Sequence, residues 1–167
     1  MWLSLTGKFR AKWSETIQEE WTSNLIENRP DISAEQLMRT VELMNRVLPD
    51  ACVYGHEKLI AGLELPDPND RHVLAAAICG QADVIVTLNL KDFPRDQLEP
   101  FGIDAQHPDA FCGYLFDLDA AAVISAATKH RAQLRNPKMD VDQYLLNLAK
   151  HGLPQTAKSL SAYRSII

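Results

Sequence analysis

Ala82-Asp83-Val84-Ile85-Val86-Thr87-Leu88-Asn89-Leu90-Lys91-Asp92-Phe93-Pro94 is the stretch on which the fold turns. Three β-branched apolar residues in a row, Val84 to Val86, break the apolar–polar alternation of a half-exposed strand. They predict a strand buried on both faces, as in a parallel sheet covered by helices. The sequence then turns polar, so Asn89 to Phe93 is the loop beyond a strand's C-terminal end. In open α/β sheets that is where the chemistry gathers.

Upstream, His72 to Cys79 reads as a buried helix whose Ala75, Ala76 and Ala77 permit close approach to a sheet. Before it, Leu65-Pro66-Asp67-Pro68-Asn69-Asp70 is an acidic turn restrained by two prolines. Ala51 to Tyr54 suits a strand and Glu57 to Ala61 a helical turn. Ser33 caps a helix in which Leu37, Val41, Met44 and Leu48 recur at helical spacing, and Pro49 closes it. Ser14 caps an earlier helix with Ile17, Trp21 and Leu25 on one face, ending near Asn28 ahead of Pro30. Phe9 to Trp13 alternates like a short half-buried strand, and Met1 to Gly7 reads as the last turn of a helix with a glycine C-cap.

Downstream, Leu98 to Phe101 is one turn of helix and Ile103 to Gln106 a last short strand. Helices follow: Asp119 caps Ala120 to Leu134, Asp140 caps Val141 to Lys150 before Gly152, and Thr156 to Ile167 forms the last. The expected division is an α/β domain over 1–110 and a helical extension over 111–167.

Composition narrows the function classes. At 167 residues, the chain is long enough for one α/β domain with a sizeable core. An apolar share of 46% with 23% charged residues excludes a disordered chain. The formal charge of -5 excludes a surface-wide cationic coat for DNA, leaving room for a local nucleic-acid site. Cys52, Cys79 and Cys112 match no zinc spacing and no disulfide framework, which points to a reducing compartment. No apolar run approaches a membrane span, and the first thirteen residues lack a signal peptide's apolar stretch. A cytoplasmic protein that engages no membrane is therefore expected.

Four positions carry candidate chemistry. Glu20 lies in the first full helix, Asp70 directly before the Ala-rich helix, and Asn89 and Asp92 just past the strand. A hard cation such as Mg²⁺ or Mn²⁺ takes oxygen ligands, and phosphodiester hydrolysis uses such an ion to activate water and neutralise the phosphate. Each position also has an ordinary reading. Asp70 suits a helix N-cap, Glu20 a solvated neighbour of Glu19, Asn89 a turn former, and Asp92 a cap or surface charge. The combination, rather than any one residue, points to a site.

Asp70-Arg71-His72-Val73-Leu74-Ala75-Ala76-Ala77 together with Ala82 to Pro94 resembles a PIN domain, most closely the VapC-like branch of ribonuclease toxins. Trp13-Ser14-Glu15, Ile17 and Glu20-Trp21 fit that branch. So do Asp117-Leu118-Asp119, Leu134-Arg135-Asn136-Pro137 and His151-Gly152-Leu153-Pro154. The resemblance implies a three-layer α/β/α domain with a central parallel sheet. It implies an Mg²⁺- or Mn²⁺-dependent endoribonuclease acting on RNA and silenced by a cognate antitoxin. Its acidic residues carry over as Glu20, Asp70 and Asp92, with Asn89 as a further metal ligand.

Members of that family begin with a central strand carrying an aspartate that binds metal, and neither is found in this sequence. The expectation is an N-terminally truncated PIN-like domain with weak metal binding and impaired cleavage. The alternative is a non-catalytic PIN-fold remnant that binds an antitoxin or a sister subunit. In such a sheet either the remaining strands close together or a homo-oligomer or complementing N-terminal fragment fills the gap, and the second is expected. Lys8, Arg10, Lys12, Lys91, Arg95, Lys129, Arg131 and Arg135 read either as groups flanking an RNA path or as solvated charges. His72 reads as a packed or capping residue.

Overall fold

The computed structural model describes every residue except Pro30 and Asn136. Those two, one expected to follow the first helix and one within the Leu134–Pro137 motif, lie outside the described residues. The chain forms two compact units. One is Arg10–Ile85 with Asn89–Ala105, and the other is Met1–Phe9 with Val86–Leu88 and Gln106–Ile167. They are called here the α/β unit and the helical unit.

Elements run in the order α1 (Glu15–Asn28), α2 (Ala34–Val47), α3 (Glu57–Ile60), α4 (Arg71–Cys79), β1 (Val84–Val86), α5 (Arg95–Leu98) and β2 (Asp104–Gln106). They continue with α6 (Pro108–Leu118), α7 (Ala120–Gln133), α8 (Val141–Lys150) and α9 (Pro154–Ser161). The helices start where their caps predict. Ser14 Oγ accepts from the Ile17 N–H at 3.2 Å, and Asp119 Oδ1 accepts from the Ala122 N–H at 3.0 Å. Ser33 with Gln36, and Asp140 with Gln143, each close a reciprocal capping box.

The fold is α/β, rich in helix, with a small parallel sheet. β1 and β2 pair. The Asp104 N–H donates to the Asp83 carbonyl at 2.9 Å and the Thr87 N–H to the Gln106 carbonyl at 3.0 Å, so both strands advance together. A second parallel pairing is the single bridge between Trp13 and Cys52. The strands expected over Phe9 to Trp13 and Ala51 to Tyr54 shrink to that bridge. Ser14 already caps α1 and Pro49–Ala51 forms a tight 3-10 turn, so each side has little extended backbone to offer.

Burial of β1 on both faces is also corrected. Ile85 is buried, whereas Val86 is 44% exposed. Successive side chains of a strand point to opposite faces, and only the Ile85 face meets the core. That core packs Leu74, Ala75, Leu98, Phe93 and Ile103 around Ile85. Leu74 and Ala75, both at 0% exposure, come from the Ala-rich helix α4. Small residues also let the end of α4 approach closely. A Cβ on Gly80 would lie 2.9 Å from Val53 Cγ2 and 2.9 Å from the Ala76 carbonyl oxygen.

In the helical unit, Leu115, Val123, Ile124, Tyr144, Leu145 and Leu160 form a separate core. Burial pushes the Tyr144 phenol up to about 12, and its hydroxyl meets His130 Nδ1 at 3.0 Å. One helix here has no counterpart in the sequence reading, and another departs from expectation. α6 has no Ser, Thr, Asp or Asn before it; His107 caps it instead, with Nδ1 accepting from the Asp109 N–H at 3.1 Å. The last helix was expected over Thr156 to Ile167, but it starts at Pro154 and ends at Ser161. Its cap comes from α6, because Asp109 accepts from Gln155 N–H, Thr156 N–H and Thr156 Oγ1 at 2.8, 2.8 and 2.7 Å.

Candidate functional site

Within the α/β unit, three segments bring the predicted acidic residues together. The first is α1, where Glu20 sits on the second turn. Its Oε2 lies 3.5 Å from His72 Nε2, on the first turn of α4. Glu19, its neighbour, points elsewhere, because adjacent helical residues diverge by about 100°.

The second segment is the acidic turn. Asp67 Oδ1 accepts from the Asn69 N–H at 2.9 Å and fixes the 3-10 turn Pro68–Asp70. Asp70 then stands at the start of α4, yet its side chain makes no capping bond there. The N-cap reading of Asp70 therefore falls away. The third segment is the 3-10 turn Leu90–Asp92 beyond β1, where Asn89 Nδ2 donates to Asp92 Oδ2.

Electrostatics ties these pieces into one cluster. Burial pushes the Asp70 carboxyl up, and the negative charges of Asp67, Asp92 and Glu20 push it further, with His72 partly offsetting them. Glu20, Asp70, Asp92 and Asn89 are thus gathered. Asp67 and His72 join them although sequence reasoning assigned them no part in the site. The signal for both was position: Asp67 shares the proline-restrained turn with Asp70, and His72 follows it by two residues. The His72 side chain is 11% exposed, and its Nδ1 has no hydrogen-bond partner.

The donors suit a hard cation in kind: carboxylate and amide oxygens, with like-charge repulsion that a cation would relieve. They do not suit it in disposition. Among the described residues, no three His, Cys, Asp or Glu side chains are placed to grip one ion together.

Several basic residues considered as RNA contacts have structural partners. Lys8 pairs with Asp119 at 2.7 Å. Lys12 Nζ donates to the Asp50 carbonyl at 2.6 Å. Arg131 donates to the Met139 and Ile167 carbonyls, each at 3.0 Å. Arg95 lies 3.7 Å from Glu99, one turn along the same segment.

A family model described as a PIN domain matches residues 1–91, more than half of the chain. The chain belongs to the PIN-domain family. A second family model, described as the VapC50 C-terminal domain, matches residues 108–162 and places this PIN protein in the VapC-like branch. A curated relative from Mycobacterium tuberculosis (strain ATCC 25618 / H37Rv), named "Putative ribonuclease VapC50", is 46% identical over 82 residues. That alignment covers 49% of this chain and 45% of the relative, so the chain spans under half the length of the curated relative it matches. No solved structure matches the chain. Among the described residues, no helix is long and apolar enough to cross a membrane, and Cys52, Cys79 and Cys112 are free thiols.

Proposed function

We propose that this PIN-domain chain is a divalent-cation-dependent endoribonuclease of the toxin–antitoxin type, acting in the cytoplasm, with a weak site for Mg²⁺ or Mn²⁺. The observation that carries the reading is the Asp70 carboxyl, pushed up first by burial and then by the charges of Asp67, Asp92 and Glu20, beside a Glu20 carboxylate 3.5 Å from His72 Nε2. Perturbed carboxylates held among their own kind are a mark of functional sites. Glu20, Asp70, Asn89 and Asp92 are the proposed holders of the cation, and Glu20, Asp70 and Asp92 the catalytic set. His72 is positioned to orient Glu20. A divalent cation held by these residues would supply charge neutralisation at a phosphate and activation of water. The family, and a relative whose name is that of a ribonuclease, support the same class.

The proposal extends to the three-layer arrangement and to assembly. β1 pairs with β2 alone among the described residues. Its other edge suits a strand from a second copy or a complementing fragment, with a cognate antitoxin as the further partner.

A specific observation favours the second reading, a non-catalytic PIN protein that binds an antitoxin or subunit: no three ligand side chains converge. One experiment separates the two. Calorimetric titration with Mn²⁺ is paired with cleavage of RNA by the purified chain and by Asp70→Asn. Weak binding with slow cleavage that disappears in Asp70→Asn supports the nuclease. Absence of both supports the binding protein. Equal cleavage by the two chains removes Asp70 from the site.

A further inference from the structure

Charge divides unequally between the two units. The α/β unit holds nine Lys and Arg against seventeen Asp and Glu, a formal -8, whereas the helical unit holds eight against five, a formal +3. The helical unit's aspartates are mostly engaged within it. Asp109 caps α9, Asp119 and Asp140 cap α7 and α8, and Asp142 pairs with Arg164. Among the described residues, that pair and Lys8–Asp119 are the unit's ion pairs. The cations gather between Lys129 and Lys138, a run from the end of α7 toward α8 with four Lys and Arg and no Asp or Glu. Arg131 is spent on structure, donating to the Met139 and Ile167 carbonyls. Lys129, Arg135 and Lys138 are exposed and take part in neither ion pair.

Beside Lys129 lies an apolar recess of about 640 Å³. One side is the α7 face on which Ala121, Ile124 and Thr128 follow at helical spacing, and the other is Tyr163 and Ile166. Thr128 Oγ1 donates to the Ile166 carbonyl at 3.1 Å and ties the two sides together. Phe116 backs Tyr163, with ring centroids 5.9 Å apart. Among the described residues, Lys129 is the only charged group in the lining.

A cation beside a recess that holds an aromatic side chain is what one nucleotide of an unpaired strand requires. The phosphate meets the cation and the free base face stacks on the ring. A duplex has no free base face to offer. An anionic bilayer is met by apolar groups that protrude from a surface helix, rather than by groups that line a recess. We propose that the cleft between α7 and Tyr163–Ile166 is a base-binding subsite for single-stranded RNA, with Tyr163 against the base, Lys129 on its phosphate, and Arg135 and Lys138 on the phosphates that follow. The inference rests on the RNA-directed reading above and deepens it. The strand is held by the unit whose charge attracts it, while the acidic cluster belongs to the unit whose charge repels it.

Fluorescence anisotropy of a labelled single-stranded RNA of about twelve nucleotides, with the full chain in chelator, tests the subsite apart from cleavage. Each phosphate contact to a single strand contributes about -0.7 to the slope of log affinity on log salt, so three contacts predict about -2. The triple variant Lys129→Ala/Arg135→Ala/Lys138→Ala should bind at least about tenfold more weakly and lose most of that slope. Tyr163→Leu should cost about tenfold and Tyr163→Phe nothing, and Lys58→Ala, in the α/β unit, should cost nothing. Circular dichroism checks folding, and Ile166→Asp, at a residue 58% exposed, replaces Tyr163→Leu if that variant does not fold. The proposal is overturned by affinity indifferent to the triple variant, by Tyr163→Leu binding as wild type does, or by a duplex of the same length binding equally well. A cleft-dependent preference for phosphatidylglycerol vesicles over RNA overturns it too. RNA cleavage in Mn²⁺ is measured separately. Cleavage without cleft-dependent binding removes the subsite and leaves the nuclease, and cleft-dependent binding without cleavage does the reverse.

Discussion

Removing the Asp109 carboxylate should destabilise the helical unit more than any surface change. Asp109 is 4% exposed and belongs to α6, yet it serves α9. That helix starts with Pro154 after Leu153, which has no side-chain acceptor, so its first N–H groups would otherwise lack partners. Asp109 accepts from two of them and from the Thr156 hydroxyl. Thr156 is buried whereas Gln155 is exposed. Truncation to Ala therefore strands two buried donors, at about 1–3 kcal/mol each. It also removes a negative charge from a helix N-terminus, at about 0.3–1 kcal/mol. The expected loss for Asp109→Ala is roughly 2–7 kcal/mol, a large part of the about 5–15 kcal/mol of a whole domain.

Asp109→Asn keeps one acceptor and should lose about half as much. Its pH dependence carries the sharper test. Burial alone would raise the Asp109 carboxyl, but the Thr156 hydroxyl, the Thr156 and Gln155 N–H groups and nearby His107 outweigh it. The net effect holds the carboxyl below the usual range. Its stabilisation is thus full above the unfolded value near about 3.9 and is lost as pH falls through the lower folded value. Urea unfolding of wild type and Asp109→Asn should show a constant gap from neutral pH down to about pH 5, narrowing below about pH 4. A variant within about 0.5 kcal/mol of wild type at pH 7, or a gap that persists at acid pH, would refute the capping account.

Asp70 should behave in the opposite sense. Its folded-state carboxyl is raised, so ionisation penalises the folded state increasingly as pH climbs past the unfolded value. Asp70→Asn is expected to melt higher than wild type at pH 7 in chelator. The difference should vanish in acid, and added Mn²⁺ should stabilise only the wild type. Thermal unfolding reads both. Gly80→Ala should cost about 1–3 kcal/mol, because its Cβ meets a backbone carbonyl and Val53. Gly113→Ala, inside α6 with nothing within 4 Å, should gain about 0.4–1 kcal/mol. Chemical denaturation of the pair checks that contrast.

Local chemistry made the helix starts legible. Ser14, Ser33, Asp119 and Asp140 each cap from within three residues, so the sequence window contains the whole interaction. α6 went unread, and the start of α9 was placed too late, for the complementary reason. One is capped by an imidazole, and the other by Asp109 across 46 residues of chain. The sheet was legible in kind but not in extent. β propensity marks Val84 to Val86, but coverage of each face depends on partners that no local pattern names, and Val86 was left exposed.

The acidic residues show the same limit from the side of function. In sequence, Asp109 and Asp70 are equivalent: each is an aspartate near the start of a helix. In the fold, Asp109 is surrounded by donors that outweigh its burial and push its carboxyl down, whereas Asp70 is pushed up by burial and, beyond that, by the charges of Asp67, Asp92 and Glu20. A carboxylate saturated by N–H and O–H groups has no call for a cation and serves the fold. One held against like charges stores an electrostatic cost that folding alone does not recover, and a bound cation or cationic group relieves it. The direction of the shift, which depends on segments distant in sequence, therefore distinguishes the aspartate that serves the fold from the one proposed to serve the site. It also brings in Asp67, although its own side chain is occupied with a turn. Its charge acts on Asp70 across that turn. On this argument Asp67→Asn should bring the Asp70 carboxyl back toward the ordinary range and weaken Mn²⁺ binding without touching a proposed ligand. A carboxyl titration followed by NMR that leaves Asp70 unmoved in Asp67→Asn would break the link between the cluster's charge and its cation affinity.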